Sequence, residues 1–233
     1  MTTIDSCGIE PTTGPRRFIA TRGVPIRLRA LTLAIATVAL VVTSVSLAPV
    51  QADTGDSAMA VTQTMVNRAL QIMANKSAPV QQRRRQLREA IENEFDFAEM
   101  SKSGLGYHWR VLNENQRAQF TKLFTAFIED AYLSKIQDYS GQQVRFLGQT
   151  PIEPGYVQIN TEIVQQGKSP IPVNYLLLQK DGTWKIYDVT VDAISIIANY
   201  RNQFNRVINE KGFDQLMADL QAKQQELASL LGN

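Results

Sequence analysis

One histidine, His108, and one cysteine, Cys7, are the entire stock of imidazole and thiol in 233 residues. Nucleophilic catalysis on a Cys–His or Ser–His plan needs a base held against the nucleophile and a third group to orient it. His108 stands in Tyr107-His108-Trp109-Arg110, and no recognised catalytic signature includes it. It reads as a packing or surface residue. A Cys/His metal site needs several such ligands at short spacing, so the counts exclude it, and a disulfide scaffold with it. Gly104-Leu105-Gly106 has no strand before it and no third glycine, so it reads as a helix terminator rather than a dinucleotide loop. Asp181, Asp188 and Asp192 lie near one another, but acid–base work on a carboxylate pair requires both to converge on one cleft. Asp181 belongs to a turn. Strict alternation puts Asp188 on the opposite strand face from Tyr187 and Val189.

Two clusters carry weaker signals. Arg83-Arg84-Arg85 with Arg88 is the densest basic group. It reads first as a solvated helix face balanced by Glu89, Glu92 and Glu94, and second as a dock for an acidic partner or lipid head groups. Phe120, Phe124 and Phe127 form an apolar stripe that is either plain core or the wall of a ligand pocket.

These residues are positioned by a recognisable order of elements. Helical spacing runs over Ser57–Ala74, through Met59, Thr62, Met65, Val66, Ala69, Leu70 and Met73. Pro79 suits a helix start, and Val80–Phe95 follows with Leu87, Ile91 and Phe95 on one face. A short helix is predicted over Phe97–Leu105. Asn113 with Gln116 is a capping-box signature that opens a long helix, Asn113–Tyr139. The period then changes to two, and four strands are predicted: Val144–Gln149, Tyr156–Gln165, Ile171–Lys180 and Thr183–Val191. Asp181-Gly182 is a two-residue hairpin turn, and the prolines and glycines at 151–155 and 167–172 read as loops. The last two strands carry apolar residues at both parities, so both sheet faces want cover, or one lines something apolar. Helical spacing resumes at Ile194, and a last helix runs from Phe213 to Leu230. This is an α+β order with an antiparallel, meandering sheet.

The charge sits unevenly. Of 24 Lys+Arg, five are arginines in residues 1–52, with Asp5 and Glu10. That leaves 19 basic against 20 acidic groups on residues 53–233, and a nucleic-acid role loses its support. The same N-terminal stretch has the layout of a secretory signal: basic residues, an uncharged apolar run from Ala30 to Leu47, then Val50-Gln51-Ala52. Cleavage after Ala52 is expected, leaving one domain over 53–233 that begins at Asp53 and carries no cysteine. The alternative is an uncleaved anchor, since the run is close to the shortest bilayer span.

An ordered set of pieces extends from Phe95-Asp96-Phe97-Ala98-Glu99-Met100 through Leu105-Gly106-Tyr107-His108-Trp109 to Asn113-Glu114-Asn115-Gln116-Arg117, Phe120 and Phe124. It continues with Tyr132, Trp184-Lys185-Ile186-Tyr187-Asp188-Val189, Ser195, Asn199-Tyr200-Arg201-Asn202-Gln203-Phe204 and Lys211-Gly212-Phe213-Asp214-Gln215-Leu216. The set resembles the toluene-tolerance or MlaC family of periplasmic proteins, with a hopanoid-associated branch sharing the pattern. The resemblance implies a curved four-stranded antiparallel sheet wrapped by helices, akin to NTF2-like cones, and a cavity for acyl chains. It also implies partners: a phospholipid or hopanoid ligand, an inner-membrane ABC transporter complex and an outer-membrane lipoprotein or porin complex. No cofactor, metal or catalytic residue is implied. One departure is Asp192-Ala193-Ile194, where family members often carry Gly before Ser195.

The resemblance implies a periplasmic carrier that moves phospholipid between outer and inner membranes, and physics supports such a carrier. A two-chain lipid has about 30 methylenes at about 0.8 kcal/mol each, on the order of 25 kcal/mol to expose to water. A cavity that replaces the bilayer needs no bond-making chemistry. The residues expected to line it are Leu105, Trp109, Phe124, Phe127, Ile128, Val173, Tyr175, Leu177, Tyr187, Val189, Ile197 and Tyr200, with Arg201 at the mouth to meet a phosphate. On this reading Phe127→Trp is tolerated by the empty protein. The rivals are a hopanoid carrier of the same family, an NTF2-like enzyme using Asp188 with Tyr187, and a membrane-tethered interaction protein.

Overall fold

All the α-helices but the last begin where a side chain or a proline deals with the N–H groups that the first turn leaves free. The computed structural model describes residues 57–133 and 139–231, so the N-terminal segment, Cys7 and the expected cleavage point lie outside the described residues. Ser57 Oγ accepts from Ala60 N at 3.1 Å and opens α1, Ala58–Ala74. Pro79 precedes α2, Val80–Glu92. Asp96 Oδ1 accepts from Glu99 N at 2.9 Å and opens α3, Phe97–Leu105, which Gly106 ends with φ +55°. A 3-10 turn, Gly106–Val111, leads to α4, Glu114–Leu133. Its capping box is reciprocal: Gln116 N donates to Asn113 Oδ1 at 2.9 Å, and Asn113 N donates to Gln116 Oε1 at 3.0 Å.

The sheet that follows has five strands, not four, in the order β1-β2-β3-β4-β5, each antiparallel to the next. They are β1 Gln143–Glu153, β2 Tyr156–Val164, β3 Ile171–Lys180, β4 Thr183–Val191 and β5 Ile194–Ser195. The helices α5, Ile196–Lys211, and α6, Phe213–Leu231, complete the chain. Asp181 (φ +52°) and Gly182 (φ +77°) form the two-residue turn between β3 and β4. A second such turn, unforeseen, is Asp192 (φ +51°) and Ala193 (φ +63°), which folds β5 back onto β4. The two residues of β5 are too few to show a period, so they were legible only as the start of a helix. Pro151 and Pro172, read as loop residues, lie inside β1 and β3. Both sit where a missing N–H is tolerated: β1 is an edge strand, and Pro172 is at the start of β3.

Helix α2 stops at Glu92 rather than running to Phe95, because Glu94–Asp96 pair with the free edge of β4. Asp96 N donates to Ile186 O and Ile186 N to Glu94 O, both at 2.8 Å. Lys180 Nζ locks the junction with a 2.7 Å bond to Asp96 Oδ2. Burial would raise the Asp96 carboxyl, but the Lys180 bond and the Glu99 and Ala98 N–H groups outweigh it and hold it below its usual range.

The apolar interior falls into two principal clusters. One lies among α3, α4, α5 and α6, around stacked and edge-on rings. Phe120–Phe124 are 5.4 Å apart, Phe124–Phe204 5.4 Å and Phe127–Tyr200 5.4 Å. The other lies between α1 and the sheet, around Met65, Val66, Val157, Ile159, Leu177 and Ile186. Among the described residues no helix is long and apolar enough to cross a membrane.

Candidate functional site

A domain of this size normally buries one contiguous core. Here Phe95 touches both principal clusters, and a cavity of about 660 Å³ lies between them. That volume is in the range of small-molecule sites. Helix α1 supplies Met65, Val66, Ala69, Leu70 and Met73, and α2 supplies Leu87 and Ile91. Phe95, Phe97, Met100, Ile128 and Tyr132 close the helical side. Val144, Ile163, Val173, Tyr175, Val189 and Val191 form the sheet wall. The register explains that wall: Thr161↔Val173↔Val191 and Ile159↔Tyr175↔Val189 are cross-strand rows, so their side chains share a face.

Burial pushes the Tyr175 hydroxyl up to about 12, while the side chain keeps some accessible surface. A residue surrounded by protein that still keeps accessible surface is one that faces an internal space. Buried members of the lining (Met65, Val66, Leu87, Met100, Ile128, Val173) mark the floor. Exposed members (Tyr132, Lys168, Ser169, Ile171, Val191) mark the mouth.

Among the described residues one carboxylate lines the cavity, Glu129, and it is 6% exposed. Arg88 Nε donates to Glu129 Oε2 at 3.1 Å, and Arg88 Nη2 donates to Asp130 Oδ1 at 2.8 Å. Gln224 Nε2 donates to the other Asp130 oxygen at 3.0 Å. Burial, reinforced by the Glu92 carboxyl and opposed by Arg88, pushes Glu129 up to about 7. Its Oε1 is buried without a donor, as suits a carboxyl that carries a proton near neutrality.

The arginine cluster of α2 is neither a solvated face nor a free dock. Arg83 and Arg84 are buried. Arg83 Nη1 donates to Met73 O at 3.2 Å, in the last turn of α1, and Arg84 Nη1 donates to Leu231 O at the end of α6. Cations on the last carbonyls of a helix satisfy acceptors that the helix leaves unpaired. With Arg88 across to α4, three of the four arginines tie helices together.

Of the thirteen residues expected around the cavity, the structure brings Ile128, Val173, Tyr175 and Val189 to its wall. Leu105, Phe124, Phe127 and Ile197 are buried in the helical cluster, with Trp109 and Tyr200 packed against it. Leu177 is fully buried between α1 and the sheet. Their apolar character is spent on packing, and Ile196, one residue before Ile197, faces the cavity instead. Arg201 lies away from the mouth, with its stem against Gly106.

Tyr187 was misplaced by a bulge. Leu176 pairs with Asp188 but Leu177 pairs with Ile186, so Tyr187 is an extra residue. It packs edge-on against Tyr156 at 5.7 Å, and Tyr156 pairs with Leu178, on the face opposite Val157 and Leu177. Parity reverses at this point. Trp184 and Ile186 before the bulge share a face with Val189 and Val191 after it, so the apparent two-sided hydrophobicity of β4 is one apolar face with a phase shift. Asp188 is committed to holding α5: its oxygens accept from Ser195 Oγ at 2.5 Å, Ile197 N at 3.2 Å and Val189 N at 2.8 Å. His108 is buried beside the Tyr107 ring, with Nε2 unpartnered.

Missed entirely were the α1 and α2 wall and the polar mouth. The methionines of α1 are the available signal: flexible, unbranched side chains suit a surface that must adapt to an occupant.

Known proteins resemble this chain in sequence and in fold. The family model described as MlaC protein matches residues 63–222. Over 158 residues the chain is 25% identical to the intermembrane phospholipid transport system binding protein MlaC of Haemophilus influenzae, covering 64% of this chain and 73% of that protein. The solved structure of a phospholipid-binding protein from Ralstonia solanacearum, in complex with a phospholipid, matches with a TM-score of 0.67 at 20% identity. That match covers 74% of this chain and 99% of the other, and at this identity it is a likeness of fold.

Proposed function

The chain belongs to the MlaC family, and from that premise we propose that it is a periplasmic carrier that moves phospholipid between outer and inner membranes as the binding protein of an ABC-type lipid transport system. The observation that carries this reading is the division of the apolar interior around a cavity of about 660 Å³ with largely apolar walls. Acyl chains laid against α1, α2, Ile128, Val173, Tyr175 and Val189 exchange water for hydrocarbon at about 0.8 kcal/mol per methylene. Nothing is bonded or cleaved in such a step, so the protein acts as a binding module rather than an enzyme. The donors and acceptors proposed with it are an inner-membrane ABC transporter complex and an outer-membrane lipoprotein or porin complex. Residues 1–52 are proposed as a signal removed after Ala52, and intact mass of the exported protein should give Asp53 as the first residue.

Protein purified from a bacterial host, without added lipid, should release stoichiometric phospholipid on denaturing extraction. Folded protein that releases none overturns the proposal. A hopanoid in the extract would keep the carrier and change its cargo.

A further inference from the structure

We propose that the mouth of the cavity is an anion site for the lipid phosphodiester, built by Lys168 with Gln142, Gln165 and Ser169, and that it favours lipids of net negative head group over zwitterionic ones. This deepens the lipid-carrier reading and rests on it. The polar lining is segregated: apart from Glu129 and the tyrosines, every polar member among the described residues comes from two short segments, 139–142 and 165–169. Those segments are braced against each other. Gln165 Nε2 donates to Ser140 Oγ at 3.1 Å, Gln142 Nε2 donates to the same oxygen at 3.3 Å, and Ser140 N donates to Gln142 Oε1 at 2.8 Å. Lys168 is held in the turn by its own N–H, which donates to Gln165 O at 3.1 Å.

Among the described residues the charge balance at this end is one-sided. Among the described residues Lys168 is the one cation of the lining, and its ammonium has no carboxylate partner. Glu129, the one carboxylate of the described lining, is on the floor and is held by Arg88. A second cation, Lys76, stands at the same end, bonded to Tyr139 O at 2.9 Å and over the Tyr139 ring at 5.5 Å. Asp192, on the β4–β5 turn, lies outside the lining. A phosphodiester at the mouth therefore meets an ammonium, two side-chain amides and a hydroxyl, the donor set that anionic oxygens take. A zwitterionic head group also brings its own ammonium to this cationic rim, and a net anionic one does not. That difference is the basis of selection.

The test uses the full chain, stripped of endogenous lipid and exchanged against vesicles of equal phosphatidylglycerol and phosphatidylethanolamine, with bound lipid read by native mass spectrometry. Wild type should enrich phosphatidylglycerol about three- to ten-fold, the range of one partly exposed charge-assisted contact. Lys168→Gln should return the bound ratio to that of the vesicle. Lys168→Arg should restore the enrichment, and Lys223→Gln on α6 should leave it unchanged. High salt should weaken it. Enrichment that survives Lys168→Gln, or wild type that takes lipid in the vesicle's own proportion, overturns the anion site while leaving the carrier intact. Wild type that takes up no lipid overturns the carrier reading itself. Enrichment abolished by millimolar inorganic phosphate but kept in chloride of the same ionic strength assigns the site to free phosphate and overturns the head-group assignment.

Discussion

Phe127 and Glu129 are two residues apart on α4 and have opposite fates. Phe127 points into the helical cluster, 6.4 Å from the Phe124 ring and 5.4 Å from Tyr200. Its expected tolerance of enlargement is therefore reversed: Phe127→Trp overfills a packed core and should cost about 1–3 kcal/mol in urea unfolding, with lipid load unchanged. Glu129 faces the cavity, and its carboxyl is raised from 4.5 to about 7 on folding, first by burial. A raised carboxyl means that the folded chain binds more protons than the unfolded one between those values. Its contribution to stability is therefore complete below the unfolded pKa and is lost as pH rises through about 7. Glu129→Gln should flatten that loss, whose slope cannot exceed about 1.4 kcal/mol per pH unit for one proton. Unfolding curves of both proteins at about pH 5 and pH 8 check this; parallel behaviour of the two would remove Glu129 as the cause.

At the level of elements, the sequence announced what local chemistry decides. The Asn113/Gln116 box, the Asp181-Gly182 turn and the α3 terminator at Gly106 each need only a few adjacent residues, and each is present. The bulge at Tyr187 was hidden because it is set by pairing with β3 and not by β4 itself. The arginine ties of α2 were hidden for the same reason, since their acceptors are carbonyls 10 and 147 residues away. Two predictions belong here. Asp188→Ala removes the acceptor for Ile197 N and Ser195 Oγ and should destabilise by about 1–3 kcal/mol, read by loss of helicity at lower urea. Ala193 adopts φ +63° without being glycine. That conformation costs an L-residue about 1–2 kcal/mol, partly offset by the extra unfolded entropy of glycine. Ala193→Gly should thus stabilise by about 0.5–1 kcal/mol in the same assay.

For the whole molecule, the class of fold and the apolar character of the sheet wall were legible, and the division of labour between wall and core was not. Residue type reports that Leu105 and Val173 both avoid water; only the tertiary arrangement puts one in a filled cluster and the other beside empty space. The cavity wall contains three of the chain's six methionines, Met65, Met73 and Met100, and that gives it a chemical vulnerability. Thioether oxidation places a polar, chiral sulfoxide where hydrocarbon should lie, so peroxide damage to these positions should turn a greasy wall partly wet and loosen cargo. The converse is a readout of occupancy. A bound acyl chain shields these sulfurs, so peptide mapping after brief peroxide exposure should show Met65 and Met73 oxidising more slowly in loaded than in empty protein. Met217, packed against the helical cluster and not on the cavity wall, should oxidise at the same rate in both.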